Sequence, residues 1–316
     1  MDIPLPSTWA EARGQLLPVL RRSTEPANAW RVAQTDPKNA IIRRPFIQFL
    51  NQLVVLDLPD MRLYINQSHL TQWGVDADAV FAAAHENLYP VATDGLHRRA
   101  DYDLMHLDSG DGYESSRLLL NGWLKAFSDS VEGRPIAIVP SARLLMVGGS
   151  ESPTQVATLL DIAWQGFRTA GGPLSPMLYT VDDYGEIVPW RPDPTHELAS
   201  QIDACGGLLA GYEYSEQRDQ LLAAGLGDSI PTVLLVRNKE SGGSYTRCRW
   251  VEGEGETLLP QTDRVVMVSG DTEVEVDWAA LEHNASGCLQ PTDLTPTRFR
   301  ARWPMPKTWA AIRGSR

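Results

Sequence analysis

Three times along the chain, two short apolar runs are joined by a connection too short to hold a crossover. Residues 50–58 and 61–65 are joined by Pro59-Asp60, 134–139 and 144–147 by Pro140-Ser-Ala-Arg143, and 177–181 and 186–190 by Asp182-Asp-Tyr-Gly185. Parallel neighbours need about a dozen residues between them, so each pair must run antiparallel as a hairpin. Helical patterns lie between the pairs. Asp76 opens a run of helix formers over 77–88. Residues 113–127 place Leu118, Leu119, Trp123 and Phe127 for burial. A helix starting at 150–153 carries Val156, Leu159, Leu160, Ala163 and Phe167 on one face and stops at Gly171-Gly172. Strand pairs separated by helices predict an α+β fold with a largely antiparallel sheet, and they disfavour a doubly wound nucleotide fold.

The remaining stretches read from local chemistry. Thr8-Trp-Ala-Glu11 is a capping box, followed by Trp9, Ala12, Leu16, Leu17 and Leu20 at helical spacing, with Pro18 as a kink or end. Residues 25–44 read as a surface loop. Ser68 is placed to cap a short helix ending at Gly74, with Trp73 packed on the first hairpin and Gly74 at positive φ. Residues 90–112 read as a long polar loop. Pro192-Asp-Pro194 is the linker candidate, dividing a domain at 1–191 from an acidic α+β region with a basic tail at 195–316. In that region two helices are expected, 197–209 and 215–224, with Gly206-Gly207 ending the first. A strand at 231–237 and alternating strands within 244–278 follow.

Composition excludes whole classes. The chain has 316 residues and a formal charge of -12, with 43% hydrophobic and 22% charged residues, which suits a globular protein and not a disordered one. Its apolar runs, such as those at 53–56 and 136–139, are far too short to cross a bilayer. No charged start with an apolar core is seen, and Cys205, Cys248 and Cys288 are odd in number and widely spaced, so a reducing, cytoplasmic setting is expected. The acidic balance disfavours nucleic acid and anionic membranes as partners. Charge is segregated: residues 1–50 are net +3, 292–316 net +5 and 51–291 net -20. The basic ends could fold back on the acidic body or remain solvated.

Four stretches carry a family resemblance: Asp60-Met-Arg-Leu-Tyr-Ile65; Trp73-Gly-Val75 leading to the helix ending Glu86-Asn-Leu88; Asp111-Gly-Tyr-Glu-Ser-Ser-Arg-Leu-Leu119; and Pro135-Ile-Ala-Ile-Val-Pro-Ser-Ala-Arg-Leu-Leu145. In order and spacing they resemble the YtpQ-like family of conserved bacterial proteins of unknown function, over about residues 45–190. At Ser141-Ala-Arg143 the chain keeps the family's Arg and lacks its acid. The resemblance implies a fold and transfers no catalytic residue.

The densest polar cluster is His106, Asp108, Asp111, Glu114 and Arg117, with Tyr113, Ser115 and Ser116 among them. A helix starting near Tyr113 would gather a small anion at its N-terminus, and His106 with Asp108 or Asp111 could form an acid/base pair. The structural alternative has Asp111 capping the helix and Arg117 pairing with Glu114 at i, i+3. Convergence of Arg62, Arg117 and Arg143 with His106 on one pocket would favour a ligand or substrate site. No metal site is expected, because the six His show no HExxH spacing and no Cys lies near a His at zinc-finger spacing. Nucleophile-elbow and Walker patterns are absent, so no cofactor is expected. The expected function is a non-catalytic binding or interaction module, with a small anionic ligand or a protein as partner. The alternative is an enzyme acting on a small anionic substrate at His106–Arg117.

One repeat stands apart. Pro4-Leu-Pro-Ser-Thr-Trp-Ala-Glu-Ala-Arg-Gly14 recurs as Pro304-Met-Pro-Lys-Thr-Trp-Ala-Ala-Ile-Arg-Gly314, identical at seven of eleven positions. As the remnant of a broken duplication, the second copy would leave Trp309 exposed. As a functional repeat, both Trp would be anchored in equivalent grooves.

Overall fold

The protein, as a computed structural model, is described over residues 5–27, 29–91, 95–226, 229–238 and 242–314. The fold is α+β, with mostly antiparallel sheets, and the chain divides into two compact units, 1–192 and 193–316. No described helix is long and apolar enough to cross a membrane.

The first unit opens with α1 (Trp9–Ala12) and a 3-10 turn at Arg13–Gln15, then β1 (Leu16–Arg22). The capping box forms at Thr8 and Glu11, but the helix does not continue through Leu20 as its spacing suggested. Leu16–Arg22 pairs along its whole length with β3, and at that sheet edge Pro18 needs no helical hydrogen bond. The expected loop at 25–44 instead holds α2 (Ala29–Thr35) and the start of β2 (Arg43–Ile47). Next come β3 (Leu50–Leu58) and β4 (Met61–Tyr64), so β3 is flanked by β1 on one side and by β2 and β4 in succession on the other. The cap of α3 (Gln67–Trp73) is Asn66, not Ser68, because its side chain accepts from the His69 backbone while the His69 ring accepts from the Asn66 N–H. Gly74 ends α3 at φ +68°, and Asp76 caps α4 (Ala77–Leu88). Trp73 is buried with Leu56, Leu58, Ile65 and Phe81, and its indole N–H donates to the Pro6 carbonyl at 3.1 Å.

The expected loop at 90–112 contains a hairpin, β5 (Leu96–Arg99) and β6 (Leu104–Leu107). The helix expected over 113–127 is two 3-10 turns, Glu114–Leu119 and Leu124–Phe127, separated by Gly122 at φ +76°. Leu118, Leu119, Trp123 and Phe127 are buried all the same, so burial did not require a regular helix. The hairpin of β7 (Pro135–Ser141) and β8 (Leu144–Gly149) follows, then α5 (Pro153–Thr169) and the hairpin of β9 (Leu178–Val181) and β10 (Ile187–Pro189). These strands form one six-stranded sheet in the order β10-β9-β7-β8-β6-β5, and the apolar face of α5 is buried.

In the second unit the two expected helices are one, α6 (Ala199–Ala223), and Gly206-Gly207 lies inside it. A Cβ at Gly207 would fall 2.4 Å from Leu235 Cδ1, so the glycine allows a close approach to β11 (Leu234–Arg237). The rest runs β12 (Ser244–Val251), β13 (Thr257–Pro260), β14 (Arg264–Ser269), β15 (Thr272–Asp277), α7 (Trp278–Ala285), β16 (Leu289–Pro291), β17 (Arg298–Ala301) and α8 (Pro306–Gly314). Two sheets form, β11-β12-β14-β15 and β13-β17-β16, in which only β12 and β14 pair in parallel among the described strands. The basic tail folds back on acid: Arg300 and Arg302 reach Glu256 at 2.7 and 3.5 Å.

The expectation of an exposed Trp309 is not met. Trp9 and Trp309 are both half-buried, each on the core of its own unit. Trp9 lies 6.2 Å from Trp73 and Trp309 lies 5.2 Å from Trp303, centroid to centroid. One turn further on, Ala12 and Ile312 are both sealed from solvent. The second copy is therefore a packed helix rather than a loose remnant. Pro4 of the first copy lies outside the described residues.

Candidate functional site

The segment from β6 to the first 3-10 turn is folded tightly on Arg62 of β4. Gly112, at φ +76°, passes so close that a Cβ would sit 2.9 Å from the Arg62 guanidinium. That guanidinium lies 4.1 Å over the Tyr113 ring, donates to Asp57 at 3.2 Å and also donates to the Asp111 carbonyl. The Tyr113 hydroxyl donates to Asp57 at 2.7 Å. Burial, helped by Asp57, pushes that hydroxyl far above its usual range, so it stays a donor.

Arg117 is fully buried and grips both carboxylate oxygens of Asp111, at 3.2 and 2.7 Å. Burial alone would raise the Asp111 pKa, but the Arg117 guanidinium and the Tyr113 backbone N–H outweigh it and hold the carboxyl below its ordinary value. Glu114 is buried too and does not pair with Arg117. Its Oε1 accepts from the Gly110 N–H at 3.0 Å and the Ser109 hydroxyl at 3.3 Å. Its Oε2 is buried without a hydrogen-bond partner.

This geometry corrects the expected anion site. The turn beginning at Glu114 is a six-residue 3-10 element, and the N–H groups on either side of Glu114 are engaged. Tyr113 N–H donates to Asp111, Ser115 N–H to the Ala142 carbonyl and Ser116 N–H to the Tyr113 carbonyl. At the Tyr113 N–H a ligand anion would find the chain's own Asp111 carboxylate in its place.

His106 is half-buried on β6 and faces His97 across the hairpin, ring centroids 5.3 Å apart. Burial lowers its pKa, with the Asp108 charge opposing, so the ring is neutral near pH 7. Its Nδ1 is buried without a partner, so the acid/base pair expected with Asp108 or Asp111 is not formed through that atom. Asp108 is exposed, and Arg143 is exposed in the β7–β8 turn. The structure thus brings Arg62, Asp111, Tyr113 and Arg117 together, while Arg143 is exposed next to Ala142, whose carbonyl accepts from the Ser115 N–H. The cluster is a knot that ties the β4 edge of the first sheet to the loop leaving the six-stranded sheet. No group of three or more His, Cys, Asp or Glu among the described residues is arranged to hold a metal.

Sequence reasoning missed a cleft of about 420 Å³ lined by Arg44, Asp78, Phe81, Ala82 and His85, between β2 and α4. The available signal was the doublets Arg43-Arg44 and Asn51-Gln52, which put polar side chains into otherwise apolar strands. Compared with known proteins, the chain matches no family model, no curated protein and no solved structure.

Proposed function

We propose that the protein is a non-catalytic binding or interaction module, bacterial and cytoplasmic, whose first unit is a YtpQ-like domain. The observation supporting the non-catalytic reading is the bidentate Arg117–Asp111 pair. It meets the charge of the buried Arg117 guanidinium with the chain's own carboxylate, which leaves that cation already paired without a substrate. The resemblance over residues 45–190 supports the family, and the lack of long apolar segments fits the location. The competing enzyme reading draws on His106 Nδ1 and Glu114 Oε2, two buried polar atoms without partners.

The test is incubation with a panel of phosphate and carboxylate metabolites, followed by melting curves and mass spectrometry of the recovered pool. A binding module returns unchanged every metabolite that raises its Tm. Conversion of a metabolite, lost in a folded His106→Gln variant, would replace the module reading with the enzyme.

A further inference from the structure

β11 is an end strand, and among the described strands it pairs only with β12. Sheet edges are usually blunted by charges, bulges or a covering element. Residues 231–237, Pro-Thr-Val-Leu-Leu-Val-Arg, carry a single charge, at their end. Leu234 is 52% exposed and Leu235 37%. The backbone of this edge is open as well. The Asn238 N–H donates to the Gly243 carbonyl opposite it, so Val236 and Leu234, in step with Asn238, turn their backbone groups toward β12. Leu235 and Arg237 turn theirs outward, where no described residue meets them.

α6 runs along this edge on one face of the sheet. Its Gly207 closely approaches Leu235, and Arg218 donates to the Ile230 carbonyl, so helix and strand lie side by side in opposite directions. Ala204 and Gly211 stand three and four residues from Gly207, and so on the same side of the helix. A Cβ at Gly211 would meet nothing within 4 Å, which leaves that side open. Leu234 and Val236 point to the opposite face of the sheet.

We propose that a second copy of this chain pairs with this edge, β11 against β11, antiparallel about a two-fold axis at Leu235. The proposal goes beyond the binding-module reading and does not depend on it. The register uses the outward groups: Leu235 exchanges two hydrogen bonds with Leu235 of the second copy, and Arg237 pairs with Val233. Leu234 lies against Val236, so no like charges oppose each other along the strand. α6 packs on both β11 and β12, so a strand spacing of about 4.8 Å sets the two α6 axes about 10 Å apart, which small side chains allow. Gly207 marks the level of the axis, so Ala199 of one copy reaches Ser215 of the other, an overlap of about 24 Å. Asp203, the carboxylate on that side, falls opposite Gly211 rather than its own counterpart. With helix and sheet layers together about 20 Å deep, the contact covers about 500 Å² on each copy. The total of about 1,000 Å² is what a specific interface needs.

The experiment is sedimentation equilibrium of the full chain over a concentration series, with amide hydrogen exchange read at low and high concentration. A dimer with Kd of about 10 μM or tighter is expected. The amides of Leu235 and Arg237 should gain protection on dimerisation, while those of Leu234 and Val236 are protected already. Leu235→Lys sets two cations face to face at the axis and should weaken the dimer at least about tenfold. Leu234→Lys, on the open face away from α6, should do the same and covers the case in which the first variant disturbs the packing on Gly207. A monomer at about 1 mM overturns the proposal and leaves the edge to a different partner. A dimer that both variants leave intact, or one that forms without protecting Leu235 and Arg237, is joined by another surface and overturns it too.

Discussion

Arg117 in the first unit and Arg298 in the second are both sealed from solvent, at 0% relative exposure, yet different chemistry holds them. Arg117 grips the Asp111 carboxylate with two hydrogen bonds. Arg298, on β17, donates to the backbone carbonyls of Tyr214, Pro231 and Leu258 and to the side-chain oxygen of Gln217, beside the Tyr214 ring. Burial pushes the Arg298 pKa down to about 10. An ion pair can be removed as a unit, since deleting both partners leaves nothing charged behind. A cation fixed by main-chain carbonyls cannot, because no second substitution removes the carbonyls. In both units a buried arginine joins separate elements.

The largest effect is expected at Arg298. Arg298→Met leaves three buried acceptors and one half-buried acceptor without their donor and should cost roughly 3–5 kcal/mol in urea unfolding. A loss below about 1 kcal/mol would show that the clamp is dispensable.

Arg117→Met should cost about 2–4 kcal/mol, and adding Asp111→Leu should restore at least about 1 kcal/mol of it. The comparison breaks if the double variant is the sum of the singles, or if a Gln217 substitution rescues Arg298→Met to the same degree.

The two tryptophan segments sharpen the contrast at a smaller scale. Trp9→Ala and Trp309→Ala should each cost about 2 kcal/mol, since each ring is half-buried on its own core. Deleting residues 303–316 should cost at least as much as Trp309→Ala. A truncation without effect would restore the remnant reading of the repeat.

The smallest effect is in the pH dependence. Asp111 has a folded pKa below its unfolded value, so its stabilisation is present above the usual carboxylate range and is lost as pH falls through the folded pKa. The penalty of Arg117→Met should therefore shrink between pH 6 and pH 3. An equal penalty at both pH values would show that the pair contributes packing rather than charge.

Much of the scaffold was legible because it is decided within a few residues. The capping box at Thr8 and Glu11, the Asp76 cap, the positive φ of Gly74 and the burial of Trp73 were readable from neighbouring side chains. The candidate cluster was legible as a cluster but not as a function. Its residue types suit an anion site, a helix start and an ion-pair knot alike. Only the bond from Arg117 to Asp111, rather than to Glu114, separates them. The cleft was not legible, because Arg44 and His85 are 41 positions apart and meet only when β2 and α4 pack on β3.

By itself the sequence determined the three hairpins, because connections of two to four residues leave antiparallel pairing as the only geometry. It also determined the buried face of α5, where the 3.6-residue period is unambiguous. Tertiary structure decided the rest. Leu16–Arg22 has a helical apolar spacing but becomes a strand, because β3 offers a full ladder of hydrogen bonds and a face to bury. Residues 113–127 form short 3-10 turns because Gly122 turns the chain and side-chain burial, not helical regularity, holds the segment. In α6 the glycines that locally favour a break lie inside the helix, and Gly207 lets it approach Leu235 closely. Local propensities differ by about 1 kcal/mol or less per residue, and the burial of a single large side chain exceeds that.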